Sequence, residues 1–268
     1  MSTTTTPVDA TSGTTRAPLL SARGITKRFS GISALSEVDC DVHPGEMVGL
    51  IGPNGAGKTT FFNCLLGMLR PEGGSVHFDG RDITRMPIHR RARLGIGRTF
   101  QRLELFSGMT VREHFLVTER ARNRSGSLWK DLLNLSKPTA QEQALAQRML
   151  EILNLEAEAD KPVESLSLGR GRLVELGRAL MTQPKMLLLD EPSSGLDVRE
   201  TASLAERLAT VQAEHDFAVL LVEHDVEMVS SLVTRLYVLD FGELIASGAT
   251  KDVLGDAEVR KAYLGDFE

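Results

Sequence analysis

Alternating strand-like and helix-like segments over most of the 268 residues predict an α/β fold, a mostly parallel sheet covered by helices. Three observations carry that expectation. Residues 186–189 and 217–222 are unbroken apolar runs, the pattern of parallel strands buried on both faces. Between them Leu204, Leu208 and Val211 recur at helical spacing. Near the start, a glycine-rich loop stands directly between a strand-like run and an amphipathic helix.

Taken in order, residues 1–17 are rich in Thr and lack an apolar core segment, so they are expected to be a disordered tail and not a secretory signal. Residues 19–25 and 42–51 read as strands, being aliphatic and bounded by Gly and Pro. Phe62, Leu65 and Leu69 then mark a helix. Pro71-Glu72-Gly73-Gly74 reads as a turn, 76–78 as a short strand and Asp79-Gly80 as a second turn. From about residue 103 to 182 strand signals are missing, while Leu145, Met149 and Ile152 place a helix in QEQALAQRMLEIL. A helical subdomain inserted into the α/β domain of residues 18–250 is therefore expected. Its segment 127–135 holds Trp129, read as packed inside the subdomain, with a membrane or partner contact as the alternative. Residues 236–239 form a further strand, and 251–268 a polar tail of helical character.

Composition is that of a soluble globular protein, 41% hydrophobic and 25% charged. Cys40 and Cys64 offer no disulfide framework or metal spacing and are expected to be buried thiols in a reducing compartment. No apolar run approaches the ~18 residues that cross a bilayer, so a cytosolic chain is expected. Net charge is −5, yet residues 81–124 hold eleven Arg, no Lys and four acids, a local +7 against −12 elsewhere. Such asymmetry argues against general nucleic-acid binding. It suggests either a docking surface or arginines paired with acids elsewhere in the fold.

The sharpest motif is GPNGAGKTT, residues 52–60, which satisfies G-x-x-x-x-G-K-[ST] with a strand before it and a helix after it. Gly52, Gly55 and Gly57, with Pro53, Asn54 and Ala56, form a loop whose N–H groups can converge on phosphate oxygens. Lys58 would reach the β- and γ-phosphates, the Thr59 hydroxyl would bind Mg²⁺, and Thr60, next in the chain, is a further candidate for nucleotide contact. A second signal is MLLLDE, where four apolar residues put Asp190 at the carboxyl end of a buried strand. That carboxylate would help to hold magnesium, and Glu191 next to it would polarise an attacking water. Together these define a P-loop NTPase that binds MgATP and hydrolyses it.

Between the two motifs stands LSLGRGRLVELGRAL, residues 166–180, which resembles the signature segment of ATP-binding cassette (ABC) proteins. Thr99-Phe100-Gln101 resembles the Q-loop of that family, Ser193-Ser194-Gly195-Leu196-Asp197 its D-loop and Glu223-His224-Asp225 its switch-histidine segment. The resemblance runs from about residue 19 to 248. It implies a RecA-like core with an antiparallel N-terminal β portion. It further implies that Phe29 stacks on adenine, that Gln101 senses magnesium and the attacking water, and that His224 contacts the γ-phosphate. Two cassettes of this family pair head to tail, Ser167 and Gly169 of one completing the ATP site of the other. The chain departs from the usual Leu-Ser-Gly-Gly-Gln at Leu168, expected to tighten packing, and at Arg170, expected to bring positive charge near the partner's nucleotide.

GRTFQ followed by LF and MTV, the stretch around the P-loop, and the ending VRKAYLGDFE resemble ATPase subunits of importers for branched-chain amino acids and related solutes. Lipopolysaccharide-export ATPases share much of this pattern, and a non-transport cassette ATPase is the rival class. The resemblance implies integral-membrane permease partners, a second ATPase subunit, an extracytoplasmic solute-binding protein acting indirectly, and a position on the inner face of the plasma membrane.

Overall fold

In the computed structural model, which describes residues 17–99, 104–123 and 138–264, a six-stranded sheet forms the centre. Its order is β10 (Glu243–Ala249), β9 (Arg235–Asp240), β3 (Met47–Ile51), β8 (Ala218–Val222), β7 (Met186–Asp190) and β6 (Ile96–Arg98). Neighbours are parallel except for the β9–β10 hairpin. An antiparallel sheet, β2 (Ile32–Val42), β1 (Leu20–Phe29), β4 (Gly73–Phe78) and β5 (Arg81–Asp82), forms a second layer. The mixed α/β class, the parallel core and the antiparallel N-terminal portion all agree with the sequence expectation.

The apolar runs are explained by two cores, one on each face of the parallel sheet. Met47, Ile51, Leu187, Leu189, Val219 and Leu221 enter one cluster. Val48, Leu50, Met186, Leu188, Leu220 and Val222 enter the other. Side chains alternate faces along a strand, so a strand covered on both sides must be apolar throughout. On the first face lie α3 (Val111–Asn123), α4 (Ala140–Leu153), α5 (Leu168–Met181), α6 (Val198–His215) and α7 (Val226–Leu232), with α8 (Thr250–Gly255) and α9 (Ala257–Leu264). On the second lie α1 (Lys58–Leu66) and the antiparallel sheet, with α2 (Ile88–Arg93) at its margin. Capping boxes, Thr139 with Glu142 and Asp197 with Glu200, fix the starts of α4 and α6.

Several boundaries differ from the expectation. The run 42–51 is two strands, because Pro44-Gly45 turns the chain between Val42 and Met47. Gly73 and Gly74 lie in β4 and not in a turn. Strands β2, β6 and β10 carry signals too weak to have been read. β1–β2, β4–β5 and β9–β10 are joined by the two-residue turns Ser30-Gly31, Asp79-Gly80 and Phe241-Gly242, all with positive φ at both positions. That is the type I′ geometry which suits the twist of paired strands. Residues 100–103 and 124–137, with Gln101, Arg124 and Trp129, lie outside the described residues.

Cys40 and Cys64 are buried free thiols, and burial pushes them up to about 12 and about 11. Part of the arginine-rich segment is paired or buried within the fold, while Arg81, Arg85, Arg90 and Arg93 are exposed. Arg112 pairs with Asp160 (3.1 Å), Arg120 with Glu142 (3.4 Å) and Arg122 with Glu119 (2.8 Å). Arg91 is 1% exposed and donates to Cys64 O (2.9 Å), Leu65 O (2.6 Å), Met86 O (2.8 Å) and Thr84 O (3.1 Å). It thereby satisfies the carbonyl end of α1, where a cation is favoured by the helix dipole. Burial lowers its guanidinium to about 10, still cationic at neutral pH. Arg91→Leu strands those carbonyls, and we expect a loss of about 3 kcal/mol. Thermal unfolding should register that as a fall in Tm of roughly 6–12 °C.

Candidate functional site

The site is assembled at the carboxyl ends of three adjacent parallel strands. Leu50 of β3 is level with Val222 of β8, and Val222 is level with Asp190 of β7. Beyond these positions the chain leaves the sheet as 52–57, as Glu223-His224 and as Glu191-Pro192. Sequence motifs some 130 residues apart therefore meet on one edge. The ammonium of Lys58 lies in the field of Glu191 and Asp190, with burial lowering its affinity for a proton.

Two glycines permit the loop to close. A Cβ at Gly52 would stand 2.1 Å from Leu239 O, and one at Gly57 would stand 2.6 Å from Ala34 O. Both have φ between +100° and +156°, at 155° and 101°. The loop thus presses against β9 and β2 and turns directly into α1, with Gly57 as the N-cap. Lys58 is buried, and its Nζ donates to Gly52 O (2.6 Å) and Pro53 O (3.0 Å), curling the side chain over the loop. Asn54, Gly55 and Thr59 are exposed, Pro53 and Thr60 half-buried and Ala56 buried.

Asp190 is 8% exposed, and its Oδ1 is buried without a hydrogen-bond partner. Burial and the neighbouring Glu191 push its carboxyl up to about 6, against the attraction of Arg98 and Lys58. An orphaned anionic oxygen facing a phosphate-type loop fits a hard cation that draws most of its ligands from phosphate and water. Among the described residues no group of three or more His, Cys, Asp or Glu could form an all-protein cage. Glu191 sits at φ +47°, a conformation rare outside glycine, held by Glu191 N→Val222 O (2.8 Å) and Ser194 N→Glu191 O (3.0 Å). His224 is exposed, and its Nδ1 is 3.6 Å from Glu223 Oε2.

Phe29 closes β1, 45% exposed, with Lys27 Nζ 5.3 Å from its ring centre. Ser167 is the N-cap of α5, its hydroxyl accepting from Arg170 N (3.3 Å) and donating to Glu200 Oε1 (3.1 Å). The Glu200 side chain covers Gly169, where a Cβ would meet it at 2.7 Å. Arg170 donates to Asn154 O (2.6 Å) at the carboxyl end of α4. Leu168 lies against Gly195, tightening contact with 193–197 as expected. Two residues were given no role of their own by the sequence. Glu223 ends the apolar run AVLLV just as Asp190 ends MLLL, and Glu200 completes the D-x-x-E of a capping box; both signals stand in the sequence.

With this geometry in hand, the likenesses to known proteins are specific. The family profile described as ABC transporter matches residues 35–194. The chain is 39% identical over 251 residues to the high-affinity branched-chain amino acid transport ATP-binding protein LivG of Escherichia coli (strain K12), spanning 93% of this chain and 98% of LivG. It is 39% identical to BraF of Pseudomonas aeruginosa, with the same coverage, and 34% identical to the lipopolysaccharide export system ATP-binding protein LptB of Haemophilus influenzae, over 92% of this chain and 98% of LptB. A nucleotide-free ATP-binding cassette from an ABC transporter superposes with TM-score 0.80 and 33% identity over 93% of this chain and 100% of that one. The cbiO1 protein of Clostridium perfringens gives 0.77 and 27%, over 94% and 96%.

The fold and the phosphate loop define a P-loop nucleotide-binding ATPase. The chain belongs to the ABC transporter family, as an ATP-binding subunit.

Asp190 generates a prediction on stability. An acid raised from its ordinary 3.8 to about 6 binds more protons folded than unfolded between those values. Stability contributed by this site is therefore present at low pH and lost as pH rises through about 6. Without divalent cation or nucleotide, Asp190→Asn should stabilise the protein at pH 7.5 by about 1–2 kcal/mol, after discounting for solvent screening. The gain should shrink toward pH 4.5. Thermal melts across that range check it, and a mutant less stable than wild type at pH 7.5 would contradict it.

Proposed function

We propose that this chain hydrolyses MgATP as one of two cassettes on a membrane permease, powering uptake of branched-chain amino acids or related small polar solutes. Near full-length 39% identity to LivG and BraF carries the solute class. The meeting of Lys58, Asp190 and Glu191 at one sheet edge carries the chemistry. An extracytoplasmic binding protein would deliver the solute to the permease. The chain itself would sit peripherally on the inner face of the membrane. Among the described residues no helix is long and apolar enough to cross a bilayer.

In this reading the N–H groups of 52–57 and the start of α1 bind the phosphates, and Lys58 leaves its loop carbonyls to reach the β- and γ-oxygens. Phe29 offers a π-face to adenine. Thr59 and Asp190, with Gln101, would hold Mg²⁺, which supplies charge neutralisation on the phosphate oxygens when bound. Glu191 orients the attacking water and draws its proton, and His224 donates to the γ-phosphate. Ser167 and Gly169, at the positive end of α5, serve the ATP held by the partner cassette.

Three measurements test the assignments. Glu191→Gln should keep ATP affinity and lower turnover at least ~100-fold, since general-base assistance contributes 10²–10⁴. Retention of most turnover would remove Glu191 from this role. In that background, light scattering with MgATP should report a dimer, and adding Ser167→Arg should return it to monomer with unchanged ATP affinity. A double mutant that still dimerises would show that the signature does not act across the interface. Finally, the reconstituted complex with its own permeases should raise its ATPase rate with leucine or isoleucine plus binding protein. Stimulation by lipopolysaccharide instead would favour the export class, for which the likeness to LptB speaks.

A further inference from the structure

Glu223 is 0% exposed, and none of the roles above uses it. Its Oε1 accepts a hydrogen bond from Ser193 N (2.8 Å), on the loop that follows Glu191. Its Oε2 accepts from His224 N (3.0 Å) and Asp225 N (3.4 Å), and faces His224 Nδ1 at 3.6 Å. One carboxylate thus holds two loops, one with each oxygen. The partners fall on different sides of the site. Ser193 begins the stretch 193–197, which Leu168 touches through Gly195, whereas His224 is exposed beyond the carboxyl end of β8.

Burying a carboxylate close to Asp190 and Glu191 is electrostatically unfavourable, so satisfying stray N–H groups is a poor reason to keep one there. What a carboxylate uniquely offers at this length is acceptor capacity on both terminal atoms. A glutamine would present an N–H₂ to one of the two loops and lose that bond.

We propose that Glu223 is a positioning residue that couples the 193–197 loop to His224, so that the imidazole moves with the loop on which the signature segment packs through Leu168. The proposal rests on the reading of His224 as the phosphate contact. Closure of the dimer onto 193–197 would set the histidine through the carboxylate, while the phosphate loop and Phe29, on other strands, bind nucleotide independently of it.

The test uses the full chain, with MgATP affinity followed by fluorescence titration and turnover by phosphate release. Glu223→Gln should lower kcat about 10- to 100-fold, the scale expected when a reacting group is misplaced by about an ångström. Its MgATP Kd should stay within about twofold of wild type. In a His224→Ala background, Glu223→Gln should change single-turnover hydrolysis less than about twofold, because residues acting through one another are not additive. Glu223→Asp keeps the charge but is one carbon too short to reach both loops, so it should show the same split between kcat and Kd. Wild-type kcat in Glu223→Gln, a Kd that weakens in step with kcat, or the full loss repeated in the His224→Ala background would each overturn the proposal. Failure of both Glu223 variants to fold would overturn it too, by assigning the residue to folding. If His224→Ala itself turned over like wild type, the reading of His224 would fall first. An impaired His224→Ala beside an active Glu223→Gln would sink the coupling alone.

Discussion

Everything functional in this molecule depends on the registration of three neighbouring parallel strands, with Leu50, Val222 and Asp190 at one level. A slip of one residue would exchange the side chains that enter the two cores, exposing none to water but mismatching every packed layer. Two-sided burial therefore fixes the sheet edge as firmly as it fixes the fold. Because loops leave the strands at that edge, the spacing between Lys58, Asp190 and Glu191 is inherited from hydrophobic packing far below them. Gly52 and Gly57 then let the loop lie close enough to β9 and β2 to share that rigidity.

The same edge concentrates unfavourable electrostatics. Asp190 is buried with an unpartnered oxygen, Glu191 and Glu223 add negative charge around it, and Lys58 is partly desolvated. Such an arrangement costs stability, and it persists because the flanking apolar strands tolerate it. It also makes physical sense of the backbone at Glu191. The left-handed turn ends β7 while keeping the β8 ladder intact through Val222 O, so the side chain departs from a fixed point. Ligands that neutralise this cluster are bound by a site already shaped for them, with little reorganisation.

Much of this was legible because it rests on short-range rules. MVGLI, MLLLD and AVLLV announce strands buried on both sides, and GPNGAGKTT between a strand and a helix announces a phosphate loop. Strand β2 was hidden because Ser, Glu and Asp interrupt every apolar stretch in ISALSEVDCDV; the spacing of Val38, Cys40 and Val42 betrays it. The strand that follows was overextended across His43-Pro44-Gly45-Glu46, where Val42 and Met47 on either side disguised a turn. The three hairpins hinge on Ser-Gly, Asp-Gly and Phe-Gly pairs; the first two have compositions that read as turns, although only Asp79-Gly80 was read as one, and Phe-Gly does not. Charge was hardest to read. Eleven arginines in one segment look like a surface, yet Arg91 is interior and others answer acids far along the chain, a long-range pairing that no local pattern encodes.

Arg170 and Leu168 illustrate how such contacts change the meaning of a motif. An arginine where glutamine is usual brings charge, and local chemistry decides where it goes. Asn154 caps α4 in the left-handed conformation, leaving carbonyls at the negative end of the helix dipole, and its own carbonyl takes the Arg170 guanidinium. The Arg170 guanidinium is thus tied to the end of α4, at one side of the start of α5. Leu168, meanwhile, leans on Gly195, while Ser167 and Gly169 meet the side chain of Glu200 at the start of α6. The signature and the 193–197 loop consequently form one packed unit, and Glu223 ties that unit to His224 from beneath. A chain of contacts therefore runs from the signature segment to the edge where Glu191 and His224 stand. Leu168 contacts the 193–197 loop at Gly195 while Ser167 and Gly169 stay in place.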